Sequence, residues 1–170
     1  MDWIDQISLA WQREYPDLDT SALPPLVRVA RLAILIESFQ REVLEPFEIT
    51  ASDYSVLAML RRAGKPYQLS PSLLYSQLQR SSGGMTKMLK RLEERGLVRR
   101  APDPADGRGS RVKLTRSGLQ LQEDVFNAFL SASDDLLSDL DGRAKRDLDD
   151  ALRPLLERFE TYLAPVEESP

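Results

Sequence analysis

Apolar side chains recur at the spacing of an α-helix along most of the chain. Residues 2–14 predict a short leading helix, and the stretch from Leu23-Pro24-Pro25 to about Leu44 predicts a longer one, because proline suits a first helical turn. Thr50 followed three residues later by Asp53 is a capping-box pattern and predicts a third helix. We therefore expect the first third of the chain to be helical.

The middle of the chain predicts two short helices followed by a β-hairpin. Arg80-Ser81-Ser82 is a tight break between the two helices, and Gly96 ends the second. Two short helices joined in this way are typical of a helix-turn-helix. The predicted positions are a short strand at 67–69, helices at 70–78 and 82–95, and hairpin strands at 97–100 and 111–114.

Two further helices complete the chain, one from Thr115 and one after Asp141-Gly142. The last helix has a narrow apolar seam, which indicates either a helix–helix interface or an ordinary core face within one subunit. The seam consists of Leu148, Leu152, Leu155, Phe159 and Tyr162, spaced by four, three, four and three residues.

Charge is distributed unevenly along the chain. The formal net charge is −4, but residues 80–116 carry eleven Lys and Arg against four Asp and Glu, so this segment is +7 and the remainder −11. A basic segment in an acidic chain favours a polyanionic partner, although solvated charge runs also occur on ordinary helices.

The chain contains no cysteine and no histidine. Disulfides, the usual zinc sites and Ser-His-Asp or Cys-His catalysis are excluded by residue type, and no pair of carboxylates or cleft lysine suggests an enzyme. We expect no cofactor and no metal. No apolar stretch approaches the roughly 18 residues that cross a bilayer, and the N-terminus lacks the pattern of a secretory signal. The expectation is a cytoplasmic protein without membrane contact.

The fifth predicted helix has the chemistry of a helix that enters the major groove of DNA. Met85, Leu89 and Leu92 form its inward face. Small residues at its start permit close approach, where backbone N–H groups point at phosphate, and the two glycines would each cost an ordinary helix roughly 1 kcal/mol. The alternative is that the glycines only pack against the preceding helix. The predicted DNA-binding residues here are Ser82, Gly83, Gly84, Thr86, Lys87, Lys90 and Arg91.

The hairpin predicts a second contact with DNA. Arg108 at its tip suits a narrow minor groove, Asp106 can hold a basic side chain in position, and Arg111 adds a further cation. Asp103 and Asp106 beside Gly107 lack the further ligands of a calcium loop, so we interpret this segment as a turn.

These motifs resemble the winged helix of the MarR family. The resemblance rests on the residues from Ser81 to Lys87, on Arg91-Leu92-Glu93 and on Asp103-Pro104-Ala105-Asp106-Gly107-Arg108. It implies a mainly α-helical fold, with a winged helix-turn-helix lobe at 46–116, a small β-hairpin wing, and dimerisation helices at 1–45 and 117–164 of a single domain. It also implies a homodimer on palindromic duplex DNA, acting as a repressor that a small ligand relieves.

A narrower resemblance concerns the urate-responsive branch of that family. The leading helix resembles the extra helix of that branch, and Trp11 and Arg62 fit its ligand pocket. Ser55 and Met88 stand where the branch has an aspartate and an arginine. We therefore expect a small organic effector that is more apolar than urate, still anionic, and not urate itself. The alternative for Trp11 is packing at the dimer core.

A different class of function fits the same fold. A winged helix can act as an adaptor that uses its basic surface on an acidic protein partner, since fold alone does not decide function. The glycine pair and the arginine at the hairpin tip favour DNA, because an adaptor needs neither close groove approach nor a minor-groove probe.

Overall fold

The computed structural model describes residues 2–78, 82–102 and 109–164, excluding the side chains of Ser82 and Gly83. Its elements closely follow the predicted order, and a short 3₁₀ turn at Glu45–Phe47 follows the second helix. The helices are α1 Trp3–Glu14, α2 Leu23–Leu44, α3 Ala51–Arg62, α4 Pro71–Gln77, α5 Ser82–Glu94, α6 Arg116–Leu136 and α7 Gly142–Leu163, and the strands are β1 Gln68–Leu69, β2 Val98–Pro102 and β3 Ser110–Leu114.

The three strands form one antiparallel sheet in the order β1-β3-β2. Val98 pairs with Leu114 and Arg100 with Val112, while Gln68 of β1 pairs with Lys113. The predicted hairpin strands are confirmed, whereas its predicted tip, with Asp106 and Arg108, lies outside the described residues.

The helix ends confirm most of the sequence signals. Asp2 caps α1 through a full capping box with Asp5. Gly96 has a φ of +68°, a conformation that glycine adopts without steric cost, and it terminates α5 as expected. The capping box predicted for α3 is only half present. Thr50 accepts the N–H of Asp53, but the described contacts of the Asp53 carboxylate are to the Thr50 hydroxyl and to another helix.

The chain divides into two compact units, Met1–Phe129 and Leu130–Pro170. The apolar core of the first unit lies among α3, α5 and the sheet, and includes Val125 of α6. Met85, Leu89 and Leu92 are fully buried there, as predicted. The boundaries expected at 45/46 and 116/117 concern function and remain predictions, because this division reflects only contacts within one chain.

Many apolar side chains outside that core remain exposed in the single chain. On α2 they include Leu32, Ile34, Leu35 and Ile36. No residue of α7 is buried, and the seam residues Leu148, Leu152, Phe159 and Tyr162 are exposed. Within the second unit, the seam of α7 is therefore not covered as a core face.

Candidate functional site

The outward face of α5 presents a small and basic surface. Leu89 and Leu92 anchor the opposite face in the core, which leaves Gly84, Thr86, Lys87 and Lys90 exposed to solvent. The Nζ atom of Lys90 lies 3.7 Å from Glu94, a loose i,i+4 pair between two exposed side chains that contributes little to stability. Ser82 and Gly83 belong to the helix, but their side chains lie outside the described part of the chain.

Arg91, which was predicted to contact DNA, has a partner within the protein. Its Nε donates to Oδ2 of Asp53 at 3.2 Å and its Nη2 donates to Oδ1 at 2.5 Å. Asp53 is 2% exposed, whereas the Arg91 side chain is 49% exposed. The pair thus joins α5 to the first turn of α3 by two parallel charge-assisted hydrogen bonds.

Arg95 makes a second connection one turn further along the chain. Its Nη1 donates to the carbonyl of Glu48 at 2.6 Å and its Nη2 to the carbonyl of Phe47 at 3.3 Å. Glu48 has a φ of +52° at the end of the 3₁₀ turn, and a guanidinium supplies a donor to the carbonyls exposed there. Sequence reasoning missed this contact. The available signal was the arginine spacing of four residues, which places Arg91 and Arg95 on one side of a helix.

The outer face of the sheet adds three cations. Arg99 pairs with Lys113, and Ala101 pairs with Arg111, so by strand alternation these side chains share the face opposite Val112 and Leu114. Arg111 is half-buried and makes an interaction within the protein. Arg99 and Lys113 were not predicted as site residues, although their alternation with buried residues indicates this face.

A cavity of about 710 Å³ lies against α3, the C-terminal end of α2 and the middle of α6. A smaller cavity of about 190 Å³ has Ser55 and Met88 in its lining and shares Ser55 with the larger one. Among the predicted ligand residues, Ser55 joins Arg62 in one cavity and Met88 in the other. The side chains that define the larger cavity include Tyr54, Ser55, Arg61, Arg62, Gln122 and Phe126.

Trp11 lines neither of these two cavities. Its ring stacks on Tyr15 with centroids 5.8 Å apart, and the residue is 47% exposed. The predicted role of Trp11 in ligand binding stays a prediction.

The larger cavity combines aromatic surface with a cation, Arg62, that has no ion-pair partner among the described residues. Arg61 lies 3.8 Å from Glu123 and 5.1 Å from the ring centroid of Tyr67, so its charge is partly offset. Arg62 forms no ion pair with any residue that the structure describes. Burial raises the pKa of Tyr54, while a hydrogen bond with Gln122 and the charge of Arg62 act in the opposite direction. The site suits an anionic ligand with an apolar body.

The described ranges of the chain contain neither a membrane-spanning helix nor a metal-binding cluster. No helix there is long and apolar enough to cross a membrane. No three carboxylates gather there in a group that could hold a metal ion.

Comparison with known proteins identifies the family. The model of the MarR family matches residues 47–109, which include α3, α4, α5 and β2. The HTH-type transcriptional regulator PecS of Dickeya dadantii is 32% identical over 160 residues, which cover 94% of this chain and 94% of PecS. The chain belongs to the MarR family.

Solved structures agree with that assignment. The multiple antibiotic resistance protein MarR of Escherichia coli is 40% identical over 82 residues, covering 48% of this chain and 55% of that protein. The crystal structure of a mutant MarR complexed with operator DNA has a TM-score of 0.65 and 30% identity, over 82% of this chain and 99% of that one. AbsC from Streptomyces coelicolor, at 24% identity and a TM-score of 0.72, shows the fold alone. This MarR-family chain is a winged-helix transcriptional regulator, and the predicted fold class is confirmed.

Proposed function

We propose that the protein is a ligand-responsive repressor that binds palindromic duplex DNA as a homodimer. The exposed, small and basic face of α5 carries the proposal, because a helix anchored by a buried apolar face can present this surface to a major groove. The residues proposed to contact DNA there are Gly84, Thr86, Lys87 and Lys90, with Ser82 and Gly83 at the helix start. Because such a regulator acts on chromosomal DNA, the proposed location of the protein in a bacterial cell is the cytoplasm.

The hairpin is proposed to enter the flanking minor groove. Its outer face already carries Arg99, Lys113 and Arg111 beside the tip segment that contains Asp106 and Arg108. Arg108→Ala should weaken binding and reduce the dependence of log K on log salt by about one unit, as expected for one lost phosphate-region charge. Arg143→Ala, on an exposed helix of the second unit, is the matched control and should leave the slope unchanged. An unchanged slope in Arg108→Ala would count against the role of the wing.

The deciding experiment is a fluorescence anisotropy titration on duplex DNA from upstream of the protein's own gene, with scrambled duplex as control. Binding at least about 10³ tighter to the first duplex, and falling steeply as salt rises, supports sequence-specific recognition. Weak and equal binding to both duplexes contradicts it for this DNA and favours the adaptor, which co-purification with an acidic partner would then test.

The exposed apolar surfaces support the homodimer. The uncovered residues of α2 and the seam of α7 together expose more apolar side chains than scattered surface residues account for. A second copy of the chain is the partner that the family relationship suggests, through the N- and C-terminal helices.

The larger cavity supports an effector with an apolar body and one negative charge. Arg62 supplies a cation that makes no ion pair with the described residues, while Met88 in the adjoining small cavity supplies apolar surface. Such a ligand can release DNA only through different affinities for two states of the protein. Urate and a panel of aromatic monocarboxylates, added to the protein–DNA complex, test this. Release by a carboxylate but not by urate is expected, and tight urate-dependent release would contradict the proposal.

A further inference from the structure

Helix α5 is fastened to a single short segment of the chain at two points. Arg91 of α5 reaches Asp53, and Arg95, which directly follows the last residue of α5, reaches the carbonyls of Phe47 and Glu48. We propose that Asp53 and Arg91, supported by Arg95, are positioning residues that set the orientation of α5 for DNA rather than contacts to DNA. The inference rests on the proposed function, since it concerns how that helix is presented.

The geometry of the Asp53–Arg91 pair fixes the direction in which the guanidinium points as well as its distance from the carboxylate. Two parallel bonds join the guanidinium edge to both carboxylate oxygens, and the Thr50 hydroxyl donates a further bond to Oδ2 at 2.8 Å. Asp53 is buried, so an uncompensated charge there would be costly, and this cost holds Arg91 in place. A guanidinium held in this way has fewer donors free for a phosphate.

Apolar packing alone leaves this orientation less well defined. Met85, Leu89 and Leu92 bury one face of α5, but hydrophobic contact is non-directional. The polar contacts of Arg91 and Arg95 restrict rotation and sliding of the helix about that face. The same contacts tie α5 to the junction between α2 and α3, because residues 47–53 span that junction.

Removing the charge of Asp53 distinguishes a positioning role from a direct electrostatic effect on DNA binding. Asp53→Asn makes the protein less negative, so simple charge effects predict equal or tighter binding to DNA. Positioning predicts the opposite, a loss of affinity of about tenfold or more with an unchanged salt slope. Asp149→Asn is the matched control, because it removes an exposed carboxylate paired with Arg153 on α7, and its affinity should not change.

Two variants at Arg91 test the same idea from the other side. Arg91→Lys keeps the charge but loses the two-pronged bond, so affinity should fall by a similar factor, whereas a plain phosphate contact would be largely retained. Asp53→Asn combined with Arg91→Gln should bind no more weakly than Asp53→Asn alone. Additive losses in the double variant would overturn the proposal. Lys90→Gln, by contrast, should reduce the salt slope by about one unit.

Hydrogen exchange without DNA keeps this inference distinct from the proposed function. In Asp53→Asn, amides of α5 should exchange about tenfold faster while those of α6 keep their rates. Anisotropy is measured at a temperature where circular dichroism shows every variant folded. If the wild type fails to discriminate between duplexes, the proposed function fails and exchange alone decides whether Asp53 holds α5. Unchanged α5 exchange, or unchanged DNA affinity in Asp53→Asn, overturns the positioning role.

Discussion

The backbone of Gly118 lies directly against the carbonyl group of Leu97. A Cβ atom on Gly118 would fall 1.9 Å from the carbonyl oxygen and 2.9 Å from its carbon, a separation that real Cβ atoms do not show. Thr115 connects the same two segments. Its hydroxyl donates to the carbonyls of Gly96 and Leu97 and accepts a hydrogen bond from the N–H of Gly118. The first turn of α6 therefore packs closely on the start of the hairpin.

Gly118→Ala should destabilise the protein. The added methyl group meets backbone rather than a flexible side chain, so α6 must shift, at an expected cost of about 1–3 kcal/mol in the free energy of unfolding. Urea titration followed by circular dichroism measures this cost. Gly142→Ala is the control, because a Cβ there meets only the Arg146 side chain at 3.5 Å. Equal stability of the two variants would contradict the close contact at Gly118.

The attachment of α1 should depend on pH through Asp2. A hydrogen bond from the N–H of Asp5 lowers the pKa of Asp2, and Arg28 lowers it further. Because the folded pKa lies below the unfolded one, the stabilisation is present above the unfolded pKa and is lost as pH falls through the folded pKa. Both tryptophans of the chain, Trp3 and Trp11, lie on α1, so their emission reports its environment.

Acidification below about pH 4 should therefore shift the tryptophan emission of the wild type, while Asp2→Asn shows a smaller shift. Asp19→Asn provides the control. Asp19 also has a lowered pKa, caused by the N–H of Ser21, but it lies outside α1 and should leave the acid shift intact. An identical shift in wild type and Asp2→Asn would exclude Asp2 as the titrating group.

Arg62 should control the response to an anionic effector. Arg62→Gln removes the cation without a described ion pair, so the affinity for an aromatic monocarboxylate should fall about tenfold or more. Arg61→Gln should have a smaller effect, because Glu123 and Tyr67 already engage that guanidinium. Isothermal titration with the carboxylate that best releases DNA compares the two variants. A larger loss in Arg61→Gln would reverse the assignment.

The seam of α7 should mediate self-association. Leu152→Glu introduces a charge into the seam and is expected to convert a dimer into monomers in sedimentation velocity experiments. Leu156 is also exposed on α7 but lies outside the seam, so Leu156→Glu should leave the association state unchanged. Dissociation of both variants, or of neither, would show that the seam is not the interface.

At Asp53, the sequence predicts the local structure but not the tertiary contact. Local spacing correctly predicts that Thr50 begins α3, because capping is a matter of a few neighbouring residues. The partner of Asp53 is 38 residues away, and no local pattern selects Arg91 among the eleven cations of the basic segment. The same local information left the seam of α7 open between core and interface, since periodicity identifies an apolar face but not what covers it.

Cavities were the least accessible to sequence reasoning. Ser55 and Arg62 lie on α3 and line the larger cavity together. Ser55 and Met88 both line the smaller cavity. The family resemblance supplied those positions, whereas composition and spacing did not.

Helix α3 contributes Tyr54 and Ser55 to the cavity and the neighbouring Asp53 to the contact with α5. A ligand that weakens DNA binding through this helix must itself be bound more weakly, by the same factor, when DNA is present. The amount of effector needed for a response would then rise with the number of operator copies in the cell. The sensitivity of such a regulator to its effector thus depends both on the affinities of the protein and on the number of operators in the genome.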